Sequence, residues 1–153
     1  MLTMKTRYAL KALGILSERG PGQATLIAEI AEREGIPKKF LEAILRELRQ
    51  HGLLLAQRGR GGGYRLSKPP EEIALAEIIR ALDGPLAPVP CLSRTAYERC
   101  PECKSEHACG VRLVLHDLHQ ATANILENTT LADLVRRTRE AANQSSKTLR
   151  YAI

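Results

Sequence analysis

A mainly α-helical fold carrying one small β-hairpin is what this sequence predicts, and three observations predict it. The 153-residue chain is 44% hydrophobic but 3% aromatic, with no Trp and one Phe. Its core must therefore be built from Leu, Ile, Val and Ala, which suits packed helices better than a β-sandwich. Apolar residues recur three and four apart through most of the chain, the period of one helix face. The stretch from 53 to 66 breaks that period in a different way, with two short apolar runs around a glycine cluster.

The first helix runs from Thr6 to Arg19 with Ala9, Ala12, Leu13 and Leu16 on one face, and Gly20-Pro21-Gly22 ends it. Thr25 is read as the N-cap of a short second helix that buries Ile27, Ile30 and Ala31. Gly35 closes it, and Pro37 suits the first turn of a third helix with Leu41, Ile44, Leu45 and Leu48 inward. Two short helices across a Gly35-Ile36 turn make a helix-turn-helix. Gly52 stops the third helix. Leu53 to Gln57, the turn Arg58-Gly59-Arg60-Gly61-Gly62-Gly63, and Tyr64-Arg65-Leu66 then read as a β-hairpin. A basic hairpin directly after a helix-turn-helix is a wing.

Lys68-Pro69-Pro70 marks a boundary, which divides the chain into a DNA-binding domain, 1–68, and a second part, 69–153. The second part opens with a helix that buries Leu75, Ile78, Ile79 and Leu82, with Gly84 after it. Pro85, Pro88 and Pro90 then exclude regular helix. A cysteine loop leads to a long helix from about Gly110 to Leu126. Its Val111, Val114, Leu118, Ala121 and Ile125 alternate three and four apart, as in a coiled-coil seam, with Leu115 beside them. Thr130 and Asp133 read as a capping box for a last helix that buries Leu131, Leu134 and Val135, and the polar stretch from Asn143 to Ile153 reads as a mobile tail.

Charge points to the partner. Residues 1–68 hold 13 Lys/Arg against 6 Asp/Glu, a net of +7, whereas residues 69–153 have a net of −1. Such a positive half suits a polyanion, because neutralising phosphates releases counterions, but charge alone favours the plainer reading of a solvated surface, and the motifs must decide between them. No apolar run approaches the roughly 18 residues of a membrane span, and Met1 to Lys5 do not read as a signal peptide, so a cytoplasmic protein is expected.

The N-terminal part of a recognition helix faces base edges. Here that part holds Lys38, Lys39 and Glu42, with Arg46 and Arg49 further along. The lysines suit phosphates or guanine. Glu42 either accepts a bond from cytosine N4 or forms an ordinary i,i+4 pair with Arg46. Arg58 and Arg60 at the hairpin tip suit a narrow minor groove, whose negative potential attracts arginine. A nucleotide-binding P-loop is excluded, since neither Gly-Lys-Ser/Thr nor a helix follows the glycines.

These features resemble the Rrf-two family of bacterial regulators, which includes iron–sulfur and nitric-oxide sensors. The resemblance rests on Leu2-Thr3, Arg7-Tyr8-Ala9, Ile30-Ala31, Gly35-Ile36-Pro37, Leu41-Glu42-Ala43-Ile44-Leu45, Gly52-Leu53, Arg58-Gly59 and Gly61-Gly62-Gly63-Tyr64. It extends to about Arg137. It implies a homodimer joined through the long helix on a roughly palindromic double-stranded operator. It also implies a minor-groove role for Arg58 and a base-reading role for Glu42.

The cysteines follow the spacing Cys91-x8-Cys100-x2-Cys103-x5-Cys109. Thiolates in one flexible loop can hold an iron–sulfur cluster, [2Fe–2S] or [4Fe–4S]. Cys103-x5-Cys109 resembles the ending of the family's cluster loop, whereas Cys91 lies further away than usual and Cys100 is extra. Where some relatives place a histidine, this chain has Arg112. Where others place an N-terminal acid, it has Arg7. The four cysteines are then the ligand set, with His107 as the spare donor. Zinc on the same four thiolates is the alternative, since Cys100-Pro101-Glu102-Cys103 resembles a zinc knuckle. A thiol switch, or thiols that bind nothing, also remain open. His51, His116 and His119 are expected on exposed helix faces without a role. A small thiol oxidoreductase is disfavoured, because no βαβ pattern surrounds the cysteine pair.

Overall fold

The computed structural model describes residues 2–20 and 22–150, with side chains to residue 145. Pro21 and the end of the tail, 151–153, lie outside the described residues. Six α-helices and one antiparallel hairpin make up the fold. They are α1 (Met4–Glu18), α2 (Ile27–Glu34), α3 (Lys38–Gln50), β1 (Leu54–Gln57), β2 (Gly63–Leu66), α4 (Leu75–Asp83), α5 (Gly110–Glu127) and α6 (Leu131–Arg150).

The helical faces read from periodicity pack in α1, α3 and α4, whereas Ile27 and Ala31 of α2 and Leu134 and Val135 of α6 are half-buried rather than buried. Ala9, Ala12, Leu13 and Leu16 of α1 are buried, and so are Leu41, Ile44, Leu45 and Leu48 of α3. They join Ile30, Leu53, Leu54, Ile73, Ile78 and Leu131 in one apolar cluster, which continues past Lys68 into α4 and the start of α6. Gly35 ends α2 in the left-handed region, φ 63°, and its N–H reaches back to the last turn. Gly84 follows α4 as read.

Thr25 does something other than cap. Leu26 occupies the N-cap position of α2 without a side-chain bond. Thr25 is instead a buried strand-like residue that pairs with the wing. Its N–H donates to the Tyr64 carbonyl at 2.9 Å, and its carbonyl accepts from the Tyr64 N–H at 3.0 Å. A Thr before an amphipathic run fits both roles locally, and only the arrival of β2 selects the second. Pro37 likewise sits at the N-cap of α3, one position outside the first turn.

That third backbone segment explains one glycine of the wing, Gly63. A Cβ on Gly63, where φ is +138°, would lie 2.1 Å from the Thr25 carbonyl oxygen. Gly61, by contrast, faces open space.

Two departures concern the second part. Pro90 starts a single 3-10 turn, Pro90–Leu92, since proline is tolerated where no N–H bond is needed. The polar tail is not irregular within the described residues. α6 continues to Arg150, its Ser145 Oγ bonding the Ala141 carbonyl at 3.1 Å. Polar residues without Gly or Pro do not stop a helix that a strong cap has started. That cap is the Thr130–Asp133 box. The Thr130 N–H donates to the Asp133 carboxylate at 3.0 Å, and the Asp133 N–H donates to Thr130 Oγ1 at 3.1 Å. The Thr130 backbone N–H, the Arg136 guanidinium and the Thr130 hydroxyl together hold the Asp133 carboxyl down at about 2. Beside it, Leu75 N–H donates to the Thr129 carbonyl and Leu131 N–H to the Ile73 carbonyl, which ties the start of α4 to the start of α6.

Candidate nucleic-acid interface and cysteine loop

On α3, burying Leu41, Ile44, Leu45 and Leu48 forces the intervening positions outward. Lys38, Lys39, Arg46 and Arg49 are exposed and Glu42 is half-buried. Lys39, Glu42, Arg46 and Arg49 share one stripe at three-four-three spacing. Arg58 and Arg60 are exposed at the turn of the hairpin.

Ion pairing separates this face from the rest of the basic half. Lys5 pairs with Glu47 at 3.1 Å, Lys11 with Glu34 at 3.0 Å, Arg33 with Glu18 at 2.9 Å, and Lys68 with Glu77 at 2.8 Å. Arg19 pairs with Glu29. Among the described residues none of Lys38, Lys39, Arg46, Arg49, Arg58, Arg60 and Arg65 enters an ion pair. Exposed pairs of this kind stabilise little, but they cancel field. Among the described residues Arg7 of α1 is unpaired as well, so most of the uncancelled positive charge, though not all of it, is left on α3 and the wing. The i,i+4 pair between Glu42 and Arg46 does not form among the described residues, so Glu42 keeps its acceptor capacity.

Sequence reasoning missed Phe40. It is 41% exposed at the head of α3, and its ring meets Tyr8 edge to face with centroids 5.8 Å apart. The contact ties α1 to the first turn of α3. The available signal was an aromatic on a polar helix face in a chain nearly without aromatics.

The cysteine loop is held by few and mostly polar contacts. Arg99 donates to the Cys103 carbonyl at 3.0 Å, the Cys103 N–H donates to the Cys100 carbonyl at 3.0 Å, and the Tyr97 hydroxyl donates to Glu106. All four cysteines are free thiols; Cys100 is exposed and Cys91, Cys103 and Cys109 are half-buried. His107 is exposed. Arg112 lies 3.9 Å from Glu106. The Cys100–Cys103 turn brings two thiol-bearing residues together. Among the described residues no group of three or more His, Cys, Asp or Glu is gathered as a metal site. The donors fit an iron–sulfur cluster in kind and number, while gathering them requires the loop to close. A loop without buried apolar anchors between 94 and 102 can rearrange at low cost.

α5 has no fully buried residue. Val111, Val114, Leu118 and Ile125 are 67%, 70%, 55% and 61% exposed, so the whole seam faces away from the chain's own core. Leu115, by contrast, is half-buried.

The Rrf2 (Rrf-two) family model, described as an iron-dependent transcriptional regulator, matches residues 2–137. This chain belongs to the Rrf2 family. An Rrf2-like HTH-type transcriptional regulator of Rhodobacter capsulatus is 44% identical over 97% of this chain and 99% of its own length. The IscR regulator of Serratia proteamaculans is 35% identical over 88% of this chain and 78% of its own. Among solved structures, CymR, the global cysteine regulator of B. subtilis, superposes with TM-score 0.75 at 28% identity, over 90% of this chain and 97% of CymR. T. potens IscR gives 0.72 at 26% identity, over 92% and 90%. The Rrf2 chain is therefore a winged-helix transcriptional regulator. Among its described residues no helix is long and apolar enough to cross a membrane.

Proposed function

We propose that this Rrf2 regulator grips a roughly palindromic duplex operator as a homodimer in the cytoplasm. Residues 1–68 supply the grip and residues 69–153 the control. α3 enters the major groove with Lys38, Lys39 and Arg46 on phosphates or guanine and Glu42 on cytosine N4. Arg58 and Arg60 enter the adjacent minor groove. The observation that carries this is the ion-pair asymmetry, which among the described residues leaves seven of the eight unpaired cations of residues 1–68 on α3 and the wing, Arg7 being the eighth. Arg58→Ala tests it, because the side chain is exposed and, among the described residues, outside every ion pair, so folding is unaffected. Operator affinity falls about 10- to 100-fold, and the slope of log affinity against log salt becomes shallower by about one. Unchanged affinity at moderate salt sinks the assignment.

Glu42→Ala has a different signature. Sequence preference relaxes at one base position, by about 1–3 kcal/mol of discrimination. Non-specific affinity does not fall, since a carboxylate near phosphates is repelled. Binding-site selection that returns one consensus for both proteins reduces Glu42 to a surface charge.

The cysteine loop supplies the control, with Cys91, Cys100, Cys103 and Cys109 as ligands of an iron–sulfur cluster. A cluster on these thiolates brings sensitivity to oxidants, nitric oxide and iron–sulfur status. The chain's own part is mechanical. The loop joins α4 to α5, so ordering or freeing it shifts how the DNA-binding head sits on the dimer helix, and hence the spacing of the two α3 helices. Protein purified without oxygen is then brown, with iron and sulfide in comparable amounts. Cys103→Ala or Cys109→Ala abolishes the colour. Colourless protein that holds zinc instead supports the second reading, a structural site, which the Cys100–Cys103 turn favours. Metal-free protein with full, redox-insensitive DNA binding removes the sensor and leaves the regulator.

A further inference from the structure

A cavity of about 480 Å³ lies among the end of α4, the loop after it and the middle of α5. None of the four cysteines lines it. One part of its lining is the apolar run 85–87, Pro-Leu-Ala. The other part carries Arg80, Arg94, His119, Ser93 and Glu127. Two arginines against one carboxylate leave an excess positive charge.

The polar groups are unequally committed. Arg80 is bonded to Glu127 across the α4–α5 interface. That bond and the Arg80 charge hold the Glu127 carboxyl below the usual carboxylate range, and Arg94 and His119 add smaller pulls in the same direction. Both therefore lie close enough to act on this corner of the cavity. Arg94 forms no ion pair among the described residues. His119, expected on an exposed face, is half-buried, and its Nδ1 is buried without a hydrogen-bond partner among the described residues. An orphaned buried nitrogen costs on the order of 1–3 kcal/mol until something pairs with it. Ser93 Oγ accepts from the Ala96 N–H at 2.9 Å, which leaves its own O–H free to donate.

We infer that this cavity binds a small monocarboxylate with a short aliphatic tail. The carboxylate takes the Arg94 guanidinium, the His119 ring and the Ser93 hydroxyl, and the tail lies on residues 85–87. The charge excess selects an anion, and the apolar run selects a tail over a bare oxyanion. The bound group touches α4, the loop leading to the cysteines, and α5. These are the elements that join the DNA-binding head to the dimer helix, so occupancy is linked to their relative placement.

Sodium butyrate is the probe, titrated into the full chain at constant ionic strength and read by thermal unfolding. Butyramide is the uncharged control and inorganic phosphate the tail-less one. Butyrate raises Tm by a few degrees in a saturable way, as expected for a ligand that binds only the folded state. Butyramide and phosphate shift Tm by less than a third as much. Arg94→Ala and His119→Ala each weaken butyrate about tenfold, the loss expected of one charge-assisted bond. Arg94→Lys retains part of the response. Equal shifts with butyramide, equal shifts with phosphate, or variants that respond as the wild type does would each overturn the inference.

Discussion

Leu118→Lys is expected to leave this regulator monomeric or aggregated, with operator affinity lower by about a hundredfold or more. Leu118 lies in the middle of an α5 stripe with Val111, Val114 and Ile125, all more than half exposed in the single chain. A stripe of that length open to water is avoided in soluble proteins unless a partner covers it. Its three-four spacing is the spacing of a helix–helix seam. A lysine there places a charge at the centre of the seam, where no acid is provided, and desolvating it costs more than the seam returns. The loss of affinity follows from valency. A dimer holds its second half-site at high effective concentration, and a monomer forfeits about 10²-fold or more. Because Leu118 is outside the chain's own core, the DNA-binding head stays folded. Sedimentation equilibrium and duplex-binding anisotropy on one preparation check both parts. A wild-type protein that sediments as a monomer at micromolar concentration contradicts the proposal, as does a dimeric L118K protein.

Gly63→Ala is expected to loosen the wing and lower stability by about 3 kcal/mol or more. The methyl group would stand 2.1 Å from the Thr25 carbonyl oxygen, which is backbone and cannot swing aside. Both Thr25–Tyr64 bonds must then lengthen, at roughly 1 kcal/mol each, and a positive φ adds about 1–3 kcal/mol for a side-chain-bearing residue. For a chain of this size that is a Tm lower by about 6–12 °C. Gly61→Ala is the control. It shares a positive φ, +73°, but meets open space, so it costs only about 1–2 kcal/mol. Equal losses for the two variants mean that the Thr25 bridge does not hold the wing. Operator affinity separates stability from function, since a displaced hairpin carries Arg58 and Arg60 away from the groove in G63A alone.

Much of this protein was legible before any coordinates. Helix existence and inward faces follow from a three-four apolar period that competes with nothing else in an aromatic-poor chain. That is why Leu41, Ile44, Leu45 and Leu48 are buried as read. The apolar stripe along α5 was legible for the same reason, and so was the Thr130–Asp133 box, whose chemistry is entirely local. Thr25 was misread because capping and strand pairing ask for the same residue, and the choice is made by β2, some forty residues later. The tail was misread because polar composition marks exposure, not the end of a helix.

By itself, then, the sequence determined the helices, the hairpin, the excess positive charge of the first half and the supply of four thiols, since all of these are properties of residue type and near-neighbour spacing. Only the tertiary structure decided which cations stay unpaired, that Gly63 makes room for the bridge to Thr25, and that His119, its Nδ1 buried, lines one cavity with Arg94. Each of these depends on groups far apart in the chain, and burial and ion pairing are set by which surfaces meet.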